Sequence, residues 1–163
     1  MSDHVDRIQE QWRRERPDLD PSPQGVIGRL HRLARALTDE LTAVYAEFSL
    51  SEAEFDLLAS LRRAGAPYAL PAGELATHTM VTTGGLTKRV DRLIERGLVE
   101  RGDVDVDRRR RLIRLTPEGI TLIDAAFTAH LANEHRLVAL IDDVDAAALS
   151  AASRRWLAAL GRD

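Results

Sequence analysis

A short stretch near the middle of the chain contains residues suited to binding a phosphate-bearing polymer. Its candidate residues are Thr82, Thr83, Gly84, Gly85, Thr87 and Lys88, and a helix is expected to begin among them with Thr82 or Thr83 as its N-cap. The first turn of a helix presents free N–H groups and the positive end of the helix dipole to an anion. Paired glycines leave little side-chain bulk over that turn, at a cost of about 1 kcal/mol of helix stability each. The stretch therefore predicts close approach to a polyanion.

A second cluster, of charged residues, lies within thirty residues of Thr82. Its members are Asp107, Arg108, Arg109, Arg110 and Arg111. Ten basic and six acidic side chains fall between residues 81 and 115, although the whole chain has a net charge of −3. A basic module in an acidic body indicates a polyanionic partner at one face.

Two other interpretations of the glycine pair are possible. The pair can be a flexible turn before a helix that begins at Leu86, because glycine is the commonest local structure breaker. A nucleotide phosphate loop is excluded, because the G-x-x-x-x-G-K-[ST] pattern is absent and no apolar strand precedes the glycines.

The elements that position these residues are mostly helical. We predict helices over 4–15 and 26–48, the second from a stripe of apolar residues spaced three and four apart. Ser51 and Glu54 form a capping-box pattern that starts a third helix, which ends near Arg63.

In the second half of the chain, the spacing of apolar residues changes from that of helices to that of short strands. Short helices over 71–78 and 82–96 precede two strand candidates, 98–101 and 112–115, which flank a charged loop. Thr116 and Pro117 restart a helix over 117–141, and a last helix begins near Asp145. This order predicts a mainly α fold with a small β-hairpin wing (α+β), a winged helix-turn-helix whose second helix enters the major groove.

Composition narrows the function classes further. The chain has 163 residues, 44% of them apolar and 30% charged, and no cysteine. No apolar run approaches the roughly 20 residues that span a bilayer, so we expect a cytoplasmic protein. We find no nucleophile–base pair and no cofactor motif, and we predict neither an enzyme nor a cofactor. His130, Glu134 and His135 have partly ligand-compatible spacing, but a solvated helix face is the favoured interpretation.

Several motifs resemble the MarR family of transcriptional regulators. They are "ELA" (74–76), "TKRVDRLIERGLVER" (87–101), "DRR" (107–109) and "LTPEG" (115–119), in the order and spacing of that family. One departure is Pro71, where relatives often have a capping threonine or serine.

The resemblance implies a homodimer that represses or activates transcription at a pseudo-palindromic DNA operator and is usually released by a small ligand. It divides the chain into an extra helix and linker (1–20), a dimerisation helix (21–49), the winged lobe (50–116) and C-terminal dimerisation helices (117–163). The apolar residues of the first long helix and the last two exceed what so small a lobe can cover, which also favours a dimer.

Individual roles follow from the same resemblance. Thr83, Thr87 and Lys88 are implied contacts to base edges and the groove, with Arg109 entering the minor groove beside Asp107. The remaining arginines of the wing are implied phosphate contacts, namely Arg108, Arg110 and Arg111. The alternative for any one of them is a solvated strand residue, because alternate side chains of a strand face away from each other.

A narrower resemblance concerns the effector. The N-terminal helix and linker (8–37), with "EFDLLASLRRAGAPYAL" (54–70) and "GGLTKR" (84–89), are similar to the urate-responsive, PecS/HucR-like branch. That branch implies an anionic-ligand pocket, urate-like or phenolic in preference, at positions Trp12, Asp56, Arg89 and Arg101. Alternatively, Trp12 anchors the N-terminal helix, and Asp56 and Arg89 form a structural ion pair. A further alternative is a winged-helix module that binds proteins and not specific DNA.

Overall fold

The computed structural model describes residues 2–78, 85–104 and 111–162. Seven helices and three strands lie in this part of the chain. In order they are α1 (His4–Glu15), α2 (Gln24–Glu47), α3 (Glu52–Arg63), β1 (Ala69–Pro71), α4 (Ala72–His78), α5 (Leu86–Glu95), β2 (Val99–Val104), β3 (Arg111–Leu115), α6 (Pro117–Val138) and α7 (Asp143–Ala159).

The chain divides into two compact units, residues 1–43 and 44–163. In the first unit, the side chain of Gln9 on α1 donates to the carbonyls of Pro21 and Ser22, at 2.9 and 3.1 Å. Arg29 on α2 reaches both Asp3 (2.8 Å) and Asp6 (2.6 Å) at the start of α1. These contacts attach the N-terminal helix to the beginning of α2.

The second unit has α3 at its centre. Ser51 accepts from the Glu54 amide at 3.3 Å, and the Glu54 carboxylate accepts from the Ser51 amide at 2.9 Å, which confirms the predicted capping box. Leu57, Leu58 and Leu61 on α3 are completely buried. Their spacing of one, three and four residues places them on one broad apolar face of α3, which forms the centre of the core.

The sheet has the order β1-β3-β2 and is antiparallel throughout. Arg101 pairs with Ile113 across β2 and β3, and Leu70 pairs with Ile113 across β1 and β3. Ile113 and Leu115 are buried whereas Arg114 between them is partly exposed, the alternation of a sheet with one covered face.

The C-terminal helices leave much apolar surface uncovered. α6 begins at Pro117, with the Thr116 hydroxyl accepting from the Gly119 amide at 3.0 Å, as predicted. α7 has no buried residue at all. Exposed apolar side chains on α6, α7 and the turn between them are Phe127, Leu131, Val138, Leu140, Ile141, Val144, Leu149, Trp156 and Leu157.

The winged-helix order predicted from the sequence is confirmed, but several elements differ in their bounds; β2, for example, extends to Val104 and not to Arg101. The strand Ala69–Pro71 was not predicted, and Pro71 belongs to it and not to the following helix. The helix expected from Thr82 begins at Leu86, so the interpretation of a turn before Leu86 gives the correct start. The helix expected over 117–141 ends at Val138. Among the described residues, no helix is both long and apolar enough to cross a membrane.

Candidate nucleic-acid interface

The N-terminal end of α5 is built around a glycine in the left-handed conformation. Gly85 is the N-cap, with φ of 83°, a value that side-chain-bearing residues rarely adopt. No side chain caps this end through a hydrogen bond. The prediction that Thr82 or Thr83 caps the helix is therefore wrong, because the cap lies at Gly85, after both threonines. Thr87 and Lys88 follow in the first turn, and both are exposed.

Apolar packing attaches the other side of α5 to the lobe. Val90 and Leu93 are buried, and they lie three residues apart and therefore on one face of the helix. Thr87 and Lys88, in the turn before this pair, are exposed although α5 is attached to the lobe. The arrangement presents a hydroxyl and an ammonium group at the end of a helix.

A salt bridge connects α5 to the wing. Arg101 Nη2 on β2 lies 2.5 Å from Asp91 Oδ1 on α5. Directly paired residues of antiparallel strands place their side chains on the same face, so Arg101 shares the covered face with its partner Ile113. Both members of the ion pair are about half exposed, so we assign the bridge at most about 1 kcal/mol of stability.

A small cavity of about 170 Å³ lies beside this salt bridge. Its lining residues come from α4, α5 and the sheet and are Ala72, Leu86, Thr87, Val90, Arg101 and Ile113. The cavity is thus mostly apolar, with one guanidinium and one hydroxyl. That combination could hold a small anion with an apolar part, because Arg101 supplies a positive charge and the other walls are mostly apolar.

The other candidate residues of the interface have different positions. Thr82, Thr83, Gly84 and the wing residues from Asp107 to Arg110 lie outside the described residues. Arg111 begins β3, next to the wing tip. The predictions about these side chains remain predictions.

The residues expected to bind an effector lie in both units. Trp12 is on α1 in the first unit, where it lines a groove of about 290 Å³ with Leu19, Pro21 and Pro23. In the second unit, Asp56 is buried on α3 and Arg89 is half-buried on α5. Arg101 lines the cavity of the lobe.

Two further arginines of α5 were not singled out from the sequence. Arg92 Nη1 lies 3.4 Å from Glu54 Oε1, and Arg96 Nη1 donates to the Ser49 carbonyl at 2.9 Å. Their i, i+4 spacing placed them on one helical ridge, but no local signal indicated their partners in α3 and the turn before it.

The histidine–carboxylate group on α6 is part of an aromatic cluster. His130 Nε2 lies 3.3 Å from Glu134 Oε1, and its Nδ1 lies 3.1 Å from the Tyr45 hydroxyl. Burial, as the largest cause, raises the pKa of Tyr45 to about 12. Within the described ranges, no three histidine or acidic side chains are grouped to hold a metal ion.

Comparison with known proteins agrees with this geometry. A model of the MarR family matches residues 48–110. The HTH-type transcriptional regulator PecS of Dickeya dadantii (strain 3937) is 42% identical over 134 residues, which cover 82% of this chain and 81% of PecS. The chain belongs to the MarR family. It is accordingly a transcriptional regulator with a DNA-binding winged helix, and not an enzyme.

Solved structures of MarR-family proteins share the fold. AbsC of Streptomyces coelicolor superimposes with a TM-score of 0.77 at 23% identity, covering 89% of this chain and 98% of AbsC. A mutant of the E. coli MarR protein, solved in complex with operator DNA, gives a TM-score of 0.68 at 24% identity. That comparison covers 90% of this chain and 97% of the E. coli chain. At these identities the similarity shows the fold.

Proposed function

We propose that the protein is a homodimeric repressor that binds a pseudo-palindromic operator and is released by a small anionic ligand. The observation that carries the proposal is the first turn of α5, where Thr87 and Lys88 are exposed after the bare Gly85 cap. In a winged helix, the second helix of the helix-turn-helix occupies the major groove. Its first turn is then the part that reads base edges.

The uncovered apolar surface supports the dimer. α7 has no buried residue, and large apolar side chains of α6 and α7 are exposed over much of their length. Apolar patches of this extent mark protein interfaces, and a second copy of the chain is the simplest occupant in a family of two-fold regulators. A two-fold dimer would read half-sites about one helical turn, or roughly 10 bp, apart.

The cavity of the lobe supports an anionic effector. An anion in contact with Arg101 would compete with Asp91 for the guanidinium. Since Asp91 is on α5, that competition would loosen the tie between the recognition helix and the wing. Urate-like and phenolic anions combine a negative charge with a ring, which matches the guanidinium and the apolar walls of this cavity. The participation of Trp12, Asp56 and Arg89 stays a prediction from the family resemblance.

A gel-shift titration tests the proposal. DNA from upstream of the protein's own gene is titrated at two salt concentrations, with and without urate, against random DNA of equal length. We expect binding that falls steeply with salt, because cations on the protein release counterions from DNA phosphates. Absence of binding at low salt would favour the alternative of a protein-interaction module without specific DNA binding.

Variants of the arginines test the effector proposal separately. Arg101→Met should keep operator binding measurable but make it less sensitive to the anion, whereas Arg63→Met, on the exposed end of α3, should respond to urate as the wild type does. Arg89→Ala tests the predicted pocket of the PecS/HucR-like branch. An unchanged urate response in both Arg101→Met and Arg89→Ala would rule out these two arginines as ligand residues.

A further inference from the structure

The turn between α2 and α3 forms a rigid corner, which we call the 49–54 corner after its residues. Ser49 has φ of 56°, a left-handed value, and the Leu50 amide donates to the Tyr45 carbonyl at 2.9 Å, which closes the end of α2. Leu50 is buried, and Ser51 starts α3 through its capping box. The corner therefore has little freedom to change shape.

Two guanidinium groups contact this corner, one from α5 and one from Arg96, the C-cap residue of α5. Arg92 Nη1 is 3.4 Å from Glu54 Oε1, and Arg96 Nη1 donates to the Ser49 carbonyl at 2.9 Å. Residues four apart lie one above the other on a helix, so both contacts hold the same ridge of α5. Lys88 lies on that ridge one turn nearer the N-terminus, at the end expected to meet DNA.

Glu54 supplies the negative charge that Arg92 contacts. Its side chain is almost completely buried, and its Oε2 accepts from the Ser51 amide (2.9 Å) and hydroxyl (2.7 Å). The other carboxylate oxygen, Oε1, is therefore available to pair with the Arg92 guanidinium. Burial by itself raises the pKa of Glu54, but the Ser51 hydrogen bonds and the Arg92 guanidinium outweigh burial and lower the pKa. The buried carboxylate is therefore charged at neutral pH, and a buried charge requires such partners.

The polar contacts fix the rotation of α5 about its own axis, which apolar packing alone does not fix. Val90 and Leu93 attach α5 to the lobe, but apolar burial is non-directional and tolerates small rotations of a helix about its axis. Charge-assisted hydrogen bonds are directional. We propose, on the basis of the DNA-binding function above, that Arg92 and Arg96 are positioning residues for operator recognition. They fix the rotation of α5 against the 49–54 corner, so that Thr87 and Lys88 face the base edges.

The test uses the partner of the arginine, which is buried and cannot itself contact DNA. Glu54→Gln keeps the capping box, because glutamine serves in that position as glutamate does, but it removes the negative charge opposite Arg92. We expect operator affinity to fall about two- to fivefold, the range of a half-exposed ion pair. Affinity for random DNA and the dependence on salt should not change. Glu95→Gln, an exposed position on α5, removes the same charge as a control and should bind as the wild type does.

A double-mutant cycle tests the pairing. If Arg92 acts through Glu54, Arg92→Met combined with Glu54→Gln should cost less than the sum of the two single effects. The slope of log K against log salt distinguishes positioning from phosphate contact. Arg92→Met and Arg96→Met should leave this slope unchanged, whereas Arg111→Met, at a predicted phosphate contact of the wing, should reduce its magnitude by about 1.

Each contrary outcome has a distinct meaning. A smaller salt slope in Arg92→Met would make Arg92 a phosphate contact and overturn the positioning role. Equal fractional losses on operator and random DNA in Glu54→Gln, with a lower melting temperature, would show a merely structural role and overturn it as well. Wild-type protein that fails to bind the operator at low salt would overturn the proposed function, and this inference with it.

Discussion

At the scale of single residues, Gly119 determines how closely α6 approaches the wing. A Cβ atom added to Gly119 would lie 1.9 Å from the carbonyl oxygen of Leu98, which is a backbone atom and cannot move aside cheaply. The Thr116 hydroxyl donates to the Gly97 carbonyl at 2.7 Å and accepts from the Gly119 amide at 3.0 Å. The glycine of the "LTPEG" motif is therefore required by packing against the start of β2.

We predict that Gly119→Ala lowers the free energy of unfolding by about 2–3 kcal/mol, because overpacking forces the backbone apart. Urea denaturation followed by circular dichroism measures the change. Gly73→Ala is the matched control, since nothing lies within 4 Å of the added Cβ and alanine favours the helix. Equal stability of the two variants would show that the junction adjusts without cost.

At the scale of elements, charge pairing attaches α1 to α2. Arg29 contacts the carboxylates of Asp3 and Asp6, which also form the capping box of α1. The hydrogen bond from Arg29 is the largest cause that lowers the pKa of Asp3 to about 2. A lowered pKa means that the contribution of Asp3 to stability is complete above its ordinary value near 3.8 and is lost as the pH falls toward 2.

We predict that Arg29→Met raises the pKa of the Asp3 carboxyl from about 2 toward 3.8, because the main hydrogen-bond donor is removed. An NMR titration of the aspartate side chains measures this value. Arg16→Met removes a guanidinium that pairs with Asp18 at the other end of α1, and it should leave Asp3 unchanged. An Asp3 midpoint that stays near 2 in Arg29→Met would attribute the shift to the helix cap alone.

At the scale of the whole molecule, charge and apolar surface are segregated along the chain. The basic stretch contains α5 and the wing, whereas the exposed apolar side chains are concentrated on α6 and α7 in the second unit. The first unit also exposes Val26, Ile27, Leu33 and Leu37 on α2. This segregation suits a protein with one surface for a polyanion and other surfaces for protein contact.

We predict that Leu131→Glu converts the proposed dimer to a monomer at micromolar concentration, because it places a charge within an apolar surface that the second copy would cover. Sedimentation velocity measures the mass. Thr121→Glu is the control, since this exposed residue lies on the same helix about 15 Å away along the axis. A wild-type monomer, or a Leu131→Glu protein that stays dimeric, would contradict the assigned surface.

Local features were predictable from the sequence because short-range chemistry determines them. The bounds of α1, the capping box at Ser51 and the Thr116–Pro117 start of α6 were all predicted, and each depends on residues within one helical turn. The start of α5 was misjudged, since two threonines before two glycines offered a better cap by propensity than the left-handed Gly85 that the structure uses.

The sequence by itself determined the order of the elements, the winged-helix class and the concentration of positive charge around α5. Only the tertiary structure decided which residues become partners across the chain. The pairing of β1 with β3 joins residues more than 40 positions apart. The contacts of Arg92 and Arg96 with the 49–54 corner join residues 38 and 47 positions apart. Such contacts depend on how helices and strands pack in three dimensions, and a periodic pattern along the chain does not encode the distance between two elements.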